Sequence, residues 1–436
     1  MRITAPKKVI NKRFQMFKAP FGKGEDMSLV VPFRALRPKI EFVRRVAALP
    51  YDVFRVEEAR QQVKDNPLSF LRIEKAECSL PDQLVEDEKM VSDRAKENLD
   101  ALRNEKIFSQ DKSASFYLYR QQAGDHVQTG VVACVSINEY QTGRIKTHEL
   151  TLCGKERERM AHINRVGAQT GPVFLAYRKR SEIDHLVSQA AKQKPEYDFT
   201  ADNGVSHTIW IISKSEVIRS LKDAFRPVES LYIADGHHRA AAAAKVAELR
   251  RAGDPGGKEH DFMLAVVFPH DQLRILGYNR AIKDSNGLSE SEFLAQVEEK
   301  FTISRNFRNK LPQRPHDFGM YLNGEWLLLS AREEILDVER QMQALDVSLL
   351  QHNILGPILG ISDPRTDKRI AFIGGVKGAS ALENIVDKDG FAVAFSLYPP
   401  TIEEMMAIAD AGMVMPPKST WFEPKLLSGL FVHLLD

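Results

Sequence analysis

The spacing of apolar positions changes repeatedly along the chain, and each change marks an element. Continuous or alternating apolar runs at 115–120, 128–135, 173–177, 208–212, 230–234 and 262–268 predict strands, and 29–36 predicts a short strand or extended entry. Gly124-Asp125 supplies the turn between the 115–120 and 128–135 strands. The run 274–281 reads as the partner of 262–268. Helical spacing, with charges on the opposite face, predicts helices over 56–64, 81–105, 156–167, 215–225, 240–251 and 289–300, the last with Ser289 available as its cap. Asn323-Gly324 between Met320–Leu322 and Trp326–Leu329 predicts a hairpin. A helix follows Asp346, and strands at 370–373 and 391–397 alternate with helices at 379–386 and 402–411. Such a series implies an α+β fold with mixed sheets, not a regular doubly wound sheet.

A chain of 436 residues exceeds one small core, so two domains are expected. The glycine-rich stretch Ala252–Lys258 is the clearest loop. It suggests an N-terminal α+β domain over 27–255 and a C-terminal α/β domain over 256–436. Charge separates a third segment. Residues 1–26 hold seven Lys/Arg and two acids, whereas the remaining 410 residues carry 54 basic and 57 acidic groups, a net of −3. The head therefore reads as a disordered or non-native basic extension, with Met27 as the expected start. A net-acidic body argues against a nucleic-acid partner, which requires a clustered basic face. No apolar run is long enough to span a membrane. Three cysteines without Cys-x-x-Cys spacing argue against a disulfide framework or a structural zinc, and fit a cytoplasmic setting.

The phosphate-loop, dinucleotide, His-Glu-x-x-His and Gly-x-Ser-x-Gly signatures are all missing. Candidate chemistry concentrates at Asp235-Gly236-His237-His238-Arg239, between an apolar strand and a helix opened by five alanines. Gly236 permits a tight turn. The first N–H groups of the helix carry the positive end of its dipole and attract anions. Arg239 offers a bidentate anion donor, and a histidine can donate to a phosphoryl oxygen or move a proton near neutral pH. Asp235 can act as base, hold a metal, orient a histidine, or simply cap the helix. Adjacent His237 and His238 splay on a helix, and no third soft ligand is near in sequence, so no metal site built on protein ligands is expected. The parts suit binding or transfer of a phosphate.

Further candidates lie elsewhere. Asp52 follows Leu49-Pro50-Tyr51 in a loop, and either serves the site or is a turn aspartate. His148-Glu149 offers possible bases, or a solvated helix start. Arg365 and Lys368 lie in a charged turn that either holds an anion or is salt-bridged to itself. Lys418, Ser419 and Thr420 follow Pro416-Pro417 and can offer an ammonium and two hydroxyls to a phosphate.

Val31-Pro32-Phe33-Arg34-Ala35-Leu36-Arg37-Pro38, Leu49-Pro50-Tyr51-Asp52-Val53, Asn66-Pro67, His148-Glu149, Ala234–Arg239 and Met415-Pro416-Pro417-Lys418-Ser419-Thr420 together resemble domain of unknown function 1015, a family whose name implies no activity. Separately, Asp-Gly-His-His-Arg opening a helix is similar to the motif of ParB-like free serine kinases. That resemblance implies a ParB/sulfiredoxin-like core around the strand-turn-helix, with Gly236, His237, Arg239 and Lys418 around a phosphate. It implies catalytic roles for Asp235 and His238, and an upstream glutamate base, for which Glu149 is the candidate and Asp52 the reserve. The expected cofactor is Mg²⁺ with a phosphoryl donor: ATP, ADP or pyrophosphate. Two functions follow as expectations. One is a phosphotransferase acting on a small hydroxylated metabolite such as free L-serine. The other is a ParB-like nucleotide-binding regulator without turnover, possibly touching DNA.

Overall fold

A computed structural model describes residues 29–253, 258–336 and 345–436. The basic segment 1–26 and residues 254–257 of the glycine-rich loop lie outside them. Two large sheets carry the fold. The first has nine strands in the order Ile145–Lys146, Leu231–Asp235, Val173–Tyr177, Phe262–Pro269, His126–Ser136, Phe116–Ala123, Ser206–Ile212 and Tyr197–Thr200, with Val30–Val31 added beside His126–Ser136. It is mixed: Leu231–Asp235 runs parallel to Ile145–Lys146, and Phe262–Pro269 parallel to Val173–Tyr177, while the other pairs are antiparallel. The second has six antiparallel strands, in the order Phe301–Ser304, Glu325–Ala331, Asp317–Leu322, Val393–Leu397, Tyr278–Ile282 and Ile370–Gly374. The architecture is thus mixed α and β, with several short strands per helix.

Local signals place most elements. Asn323 and Gly324, at φ +47° and +85°, make the hairpin turn joining Asp317–Leu322 to Glu325–Ala331. Ser289 caps Glu290–Glu298, its hydroxyl accepting from the Glu292 N–H in a reciprocal capping box. Ala240–Ala244 are all buried, so helix His237–Arg251 lies close against the first sheet and helix Cys153–Val166. Small side chains allow that approach.

Two expectations change. The strand Phe262–Pro269 belongs to the first sheet, so sheet membership switches after Pro269 and not at the boundary expected at 255/256. The glycine-rich loop joins a helix to a strand of the same layer; its polarity marks exposure, which a connector and a linker share. The run 274–281 does not pair with 262–268. It splits at Gly277 into Ile275–Leu276, which pairs with Trp421–Phe422, and Tyr278–Ile282 in the second sheet. A Cβ at Gly277 would collide with the Leu397 carbonyl oxygen, so the close crossing there demands glycine.

The C-terminal segment then returns to the N-terminal half of the chain, outside the two large sheets. Ala48 pairs with Ser428, Leu36 with Val432, and Ala168–Gln169 with His433–Leu434. Leu426, Leu427, Leu430 and Phe431 enter one core that also holds Tyr117 and Tyr119 from the first sheet, Phe33 from an isolated bridge beside it, and Ile282, Phe318 and Phe395 from the second. Both sheets share this core. Among the described residues no helix is long and apolar enough to cross a membrane.

Phe431 is buried against Tyr117 and Tyr119, with ring centroids 5.2 and 6.3 Å away. Phe431→Ala leaves a cavity at this seam and is expected to cost about 3–5 kcal/mol. Denaturant unfolding checks it, and a loss below about 1 kcal/mol would show that the tail is not integral to the core.

Candidate functional site

Three strand ends meet at one edge of the first sheet. Ile145–Lys146 and Leu231–Asp235 are parallel, so the chain leaves both at the same end, into His148-Glu149 and into Gly236. Val173–Tyr177 is antiparallel to the second of these, so it begins there, after Gly171-Pro172. The register slips between Ile233 and Asp235, and that bulge re-aims Asp235. Gly236 follows with φ +93°, a left-handed conformation that favours glycine, and caps the helix. The cap is therefore Gly236 and not Asp235. The Asp235 carboxylate instead accepts from the Gly236 N–H at 2.8 Å and from Lys425 Nζ at 2.7 Å. In helix His237–Arg251 the first helical bond is donated by Ala240, which leaves the N–H groups of His237, His238 and Arg239 without partners among the described residues.

Around this turn lies a pocket of about 70 Å³, lined among others by Asp52, Glu149, Asp235, His237, His238, Arg239 and Lys418. These come from four separate parts of the chain. Asp52 sits in the short helical turn Tyr51–Val53. Glu149 lies between Ile145–Lys146 and helix Cys153–Val166. Lys418 arrives on the C-terminal loop, at φ +57°. That loop is tied down at several points. The Met415 N–H donates to the His148 carbonyl at 2.8 Å, Thr420 Oγ1 lies 3.2 Å from His148 Nε2, and Ser419 Oγ donates to the Pro416 carbonyl at 2.5 Å. The buried Arg280 guanidinium donates to the carbonyls of Pro417 and Lys418 at 3.2 and 3.0 Å. Ser419 and Thr420 thus hold the loop and do not line the pocket. Arg365 and Lys368 are exposed and also lie outside its lining, and Arg365 is bound to its own Asp363 at 2.9 and 2.8 Å.

Arg239 is more committed than its sequence position suggests. Its Nη2 donates to Glu74 at 3.2 Å and its Nη1 to the Pro172 carbonyl at 3.1 Å. Glu74 is 2% exposed, and although burial raises its pKa, Arg239, His162 and Arg159 around it hold the pKa below the usual carboxylate value. A Cβ at Gly171 would lie 2.8 Å from Arg239 Cζ, so glycine there makes room for the guanidinium. Tyr51 completes the wall, its ring 4.2 Å from Arg159 and 5.6 Å from Arg239. Arg239 therefore braces the pocket from beneath.

Charge in the pocket is sorted by neighbours. Burial pushes the Asp235 carboxyl up, but Lys425, Arg239 and Lys418 outweigh it and hold it well below the usual carboxylate range. Such a carboxylate is a weak base, which counts against the proton-accepting role expected of it. Lys418 is exposed by surface area even though protein atoms crowd it, and exposure is the property that matters for meeting a ligand. Desolvation works against its charge, yet Tyr278, Glu149, Asp52 and Asp235 raise its pKa above the ordinary lysine value. Burial pushes His237 down to about 4, with Asp235 opposing and His238 assisting. Burial, helped by His237, takes His148 down to about 3. His238 is also lowered, chiefly by burial, and its Nδ1 is buried with no partner among the described residues. All three are neutral at pH 7. The His148 backbone N–H donates to His237 Nε2 at 3.4 Å, which places the His237 proton on Nδ1, 4.0 Å from Glu149 Oε2.

Donor atoms of His148, Glu149 and His237 lie within 4.8 Å of one another, a grouping that sequence distance hides. The tautomer of His237 points a proton toward Glu149, which suits a proton relay better than an ion. Mg²⁺ prefers oxygen donors. Asp52 is the carboxylate in the pocket with no hydrogen bond or ion pair among the described residues, and Glu149 accepts only a 3.5 Å contact from the Lys418 N–H besides facing His237. The oxygen donors a Mg²⁺–phosphate unit needs are therefore present. Sequence reasoning gave no site role to Lys425, Glu74, Gly171 or Tyr51, whose roles come from contacts between distant segments.

The family described as protein of unknown function (DUF1015) matches residues 30–348. No curated protein matches the chain. Among solved structures, a free serine kinase in complex with AMP is similar over 67% of this chain and 86% of its own, at 15% identity and TM-score 0.34. A conserved hypothetical protein from Pyrococcus furiosus is similar over 68% and 92%, at 14% identity and TM-score 0.34. SbnI with C-terminal truncation from Staphylococcus aureus is similar over 68% and 85%, at 10% identity and TM-score 0.36.

Two outcomes test the electrostatics. Lys425→Met removes the cation that lowers Asp235 most, while Arg239 and Lys418 remain. Wild-type stability from this carboxylate is present above the unfolded-state value and is lost as pH falls toward the folded one. In Lys425→Met the depression is smaller, so less stability is lost over that window. Denaturant unfolding at pH 5 and at pH 2.5 reads the difference, and parallel pH profiles would refute the pairing. For the buried histidines, folded values lie below the ordinary one: His148 and His162 at about 3, His207 and His237 at about 4. Stability should be complete above about pH 6.5 and fall as pH drops from there toward 4, by up to about 1.4 kcal/mol per pH unit for each histidine. His237→Gln should flatten that slope.

Proposed function

We propose that this chain, which belongs to the family of proteins of unknown function designated DUF1015, is a nucleotide-dependent phosphotransferase acting on a small hydroxylated metabolite, with free L-serine the first acceptor to test. The supporting observation is the composition of one pocket. Three unpaired N–H groups at the positive end of a 15-residue helix face it together with Lys418, and the carboxylates of Glu149 and Asp52 line the same space. Anion binders and a free carboxylate base in one small enclosure are what phosphoryl transfer to a hydroxyl needs. At about 70 Å³ the pocket is far below the roughly 300 Å³ of a whole-ligand site, so it encloses phosphate groups while the nucleoside lies outside.

In this reading the phosphoryl oxygens rest on the N–H groups of His237, His238 and Arg239, with Lys418 opposing their charge. The His238 imidazole adds a neutral hydrogen-bonding group beside them. Glu149 takes the proton of the acceptor hydroxyl as the new O–P bond forms and the bond to the leaving phosphate oxygen breaks. His237 Nδ1–H orients Glu149. Asp235 is a positioning residue, fixing the turn through Gly236 and the tail through Lys425. Asp52 would hold Mg²⁺, which neutralises phosphate charge when bound.

A second reading is nucleotide binding without turnover, as a regulator. One observation favours it: Arg239 spends both terminal nitrogens on Glu74 and Pro172, so the strongest expected anion donor is not free.

The protein is incubated with L-serine, Mg²⁺ and ATP, ADP or pyrophosphate, and O-phosphoserine is sought by mass spectrometry. Product is expected with at least one donor. Glu149→Gln should lower turnover by about 10²- to 10⁴-fold while nucleotide affinity changes little. Activity that survives Glu149→Gln sinks the assignment of the base. Nucleotide binding with no product from any donor or hydroxylated acceptor favours the second reading.

A further inference from the structure

Three arginines are buried among the described residues, and two of them meet an acid. Arg37 pairs with Asp111 at 2.7 Å, and Arg159 with Glu158 at 2.9 Å. The third, Arg280, is 2% exposed on strand Tyr278–Ile282 of the second sheet and forms no ion pair among the described residues. Its hydrogen bonds all go to backbone carbonyls. Nη1 donates to Tyr278 at 2.6 Å and to Asn279 at 3.4 Å, and Nη2 to Pro417 at 3.2 Å and Lys418 at 3.0 Å. Burial pulls Arg280 down to about 10, with Tyr278 and Glu149 opposing, so the guanidinium is still charged at pH 7. A buried cation without a counter-charge is costly, and neutral carbonyls offset that cost only in part. An anion bound nearby would supply the missing charge.

The carbonyls of Pro417 and Lys418 show where that anion belongs. They come from the two peptides that flank the Lys418 Cα, and one guanidinium nitrogen holds both. Lys418 is at φ +57°, a left-handed conformation that costs a lysine free energy and persists only when its surroundings fix it. Its exposed ammonium lines the phosphate pocket and has no hydrogen bond or ion pair among the described residues. Glu149, which lines the same pocket, is the carboxylate whose charge supports Arg280. It sits across the Pro417–Lys418 peptide, where its Oε1 takes the 3.5 Å contact from the Lys418 N–H.

We propose that Arg280 is a positioning residue of the anion site: its guanidinium clamps Lys418 in the left-handed conformation that presents the ammonium to the pocket, and the bound anion supplies the counter-charge that Arg280 lacks. The inference rests on the reading of this pocket as a phosphate site. It gives the second sheet a part in ligand binding, although no strand residue of that sheet lines the pocket.

The test uses the full chain with inorganic pyrophosphate as the probe, by calorimetry at pH 7.5. The wild type is expected to bind it. Arg280→Gln removes the charge and should weaken binding by about tenfold or more, the value of one charge-assisted interaction. Arg280→Lys keeps a cation that can still donate to both carbonyls, and should recover most of that loss. Thermal unfolding without ligand checks that each variant folds, and Arg280→Met, neutral and of similar length, stands in where Arg280→Gln does not. Wild-type binding matched within about threefold by the neutral variant overturns the proposal and leaves the phosphate reading intact. Equal losses in Arg280→Lys and the neutral variant overturn it as well, because packing alone would then explain the residue. A wild type that does not bind pyrophosphate sinks the phosphate reading and this inference with it.

Discussion

The ion pair between Lys425 and Asp235 joins the two halves of the site. Asp235 ends a strand, and the next residue is in a left-handed conformation that directs the chain into a helix. Its carboxylate holds that turn through the Gly236 N–H and holds the C-terminal tail through Lys425. About two-fifths of the Asp235 side chain still meets solvent, so the pair is screened, and its main role is positional. Lys425 lies seven residues beyond Lys418 on the same tail. Fixing one end of this loop, with Arg280 and His148 fixing the other, sets where the Lys418 ammonium stands over the helix N-terminus.

A second buried pair supports the first from below. Glu74 and Arg239 lock the underside of the turn, and Thr170, Arg159 and Tyr51 fill the space around them. An arginine in the first helical turn with a free fork would have been the obvious phosphate ligand. Its use as a brace leaves the proposed anion binding to the backbone N–H groups and Lys418. Backbone donors cannot rotate away, so an anion site built on them is preorganised once the turn is fixed.

Local information made much of this legible. Asp235 to Arg239 announces a strand-turn-helix by its own residue types, and Ser289 and Asn323-Gly324 announce a cap and a hairpin in the same way. What stayed hidden depends on segments distant in sequence. Lys425 lies 190 residues from Asp235, and Glu74 lies 165 from Arg239. Gly171 looks like any loop glycine until the Arg239 guanidinium is seen to occupy the space of its missing Cβ. The point at which the chain changes sheet was hidden for a related reason. A glycine-rich loop reports local exposure, whereas membership of Phe262–Pro269 in the first sheet is decided by partners over a hundred residues away.

In the proposed phosphotransfer the same logic assigns proton chemistry to Glu149. Four carboxylates stand in or under the pocket: Glu74, Asp235, Asp52 and Glu149. Glu74 and Asp235 are each bound by a cation, and a carboxylate stabilised as an anion gains little from a proton. Asp52 is exposed, which suits a hydrated ion better than a dry proton transfer. Of the four, Glu149 faces a neutral imidazole N–H that can orient it. That orientation depends on the His237 tautomer, which the His148 backbone N–H selects at His237 Nε2. His148 is held in turn by Met415 and Thr420. The C-terminal tail thus positions both Glu149 and Lys418, the base and the anion-binding lysine of the proposed reaction, and the segment that closes the core also completes the pocket.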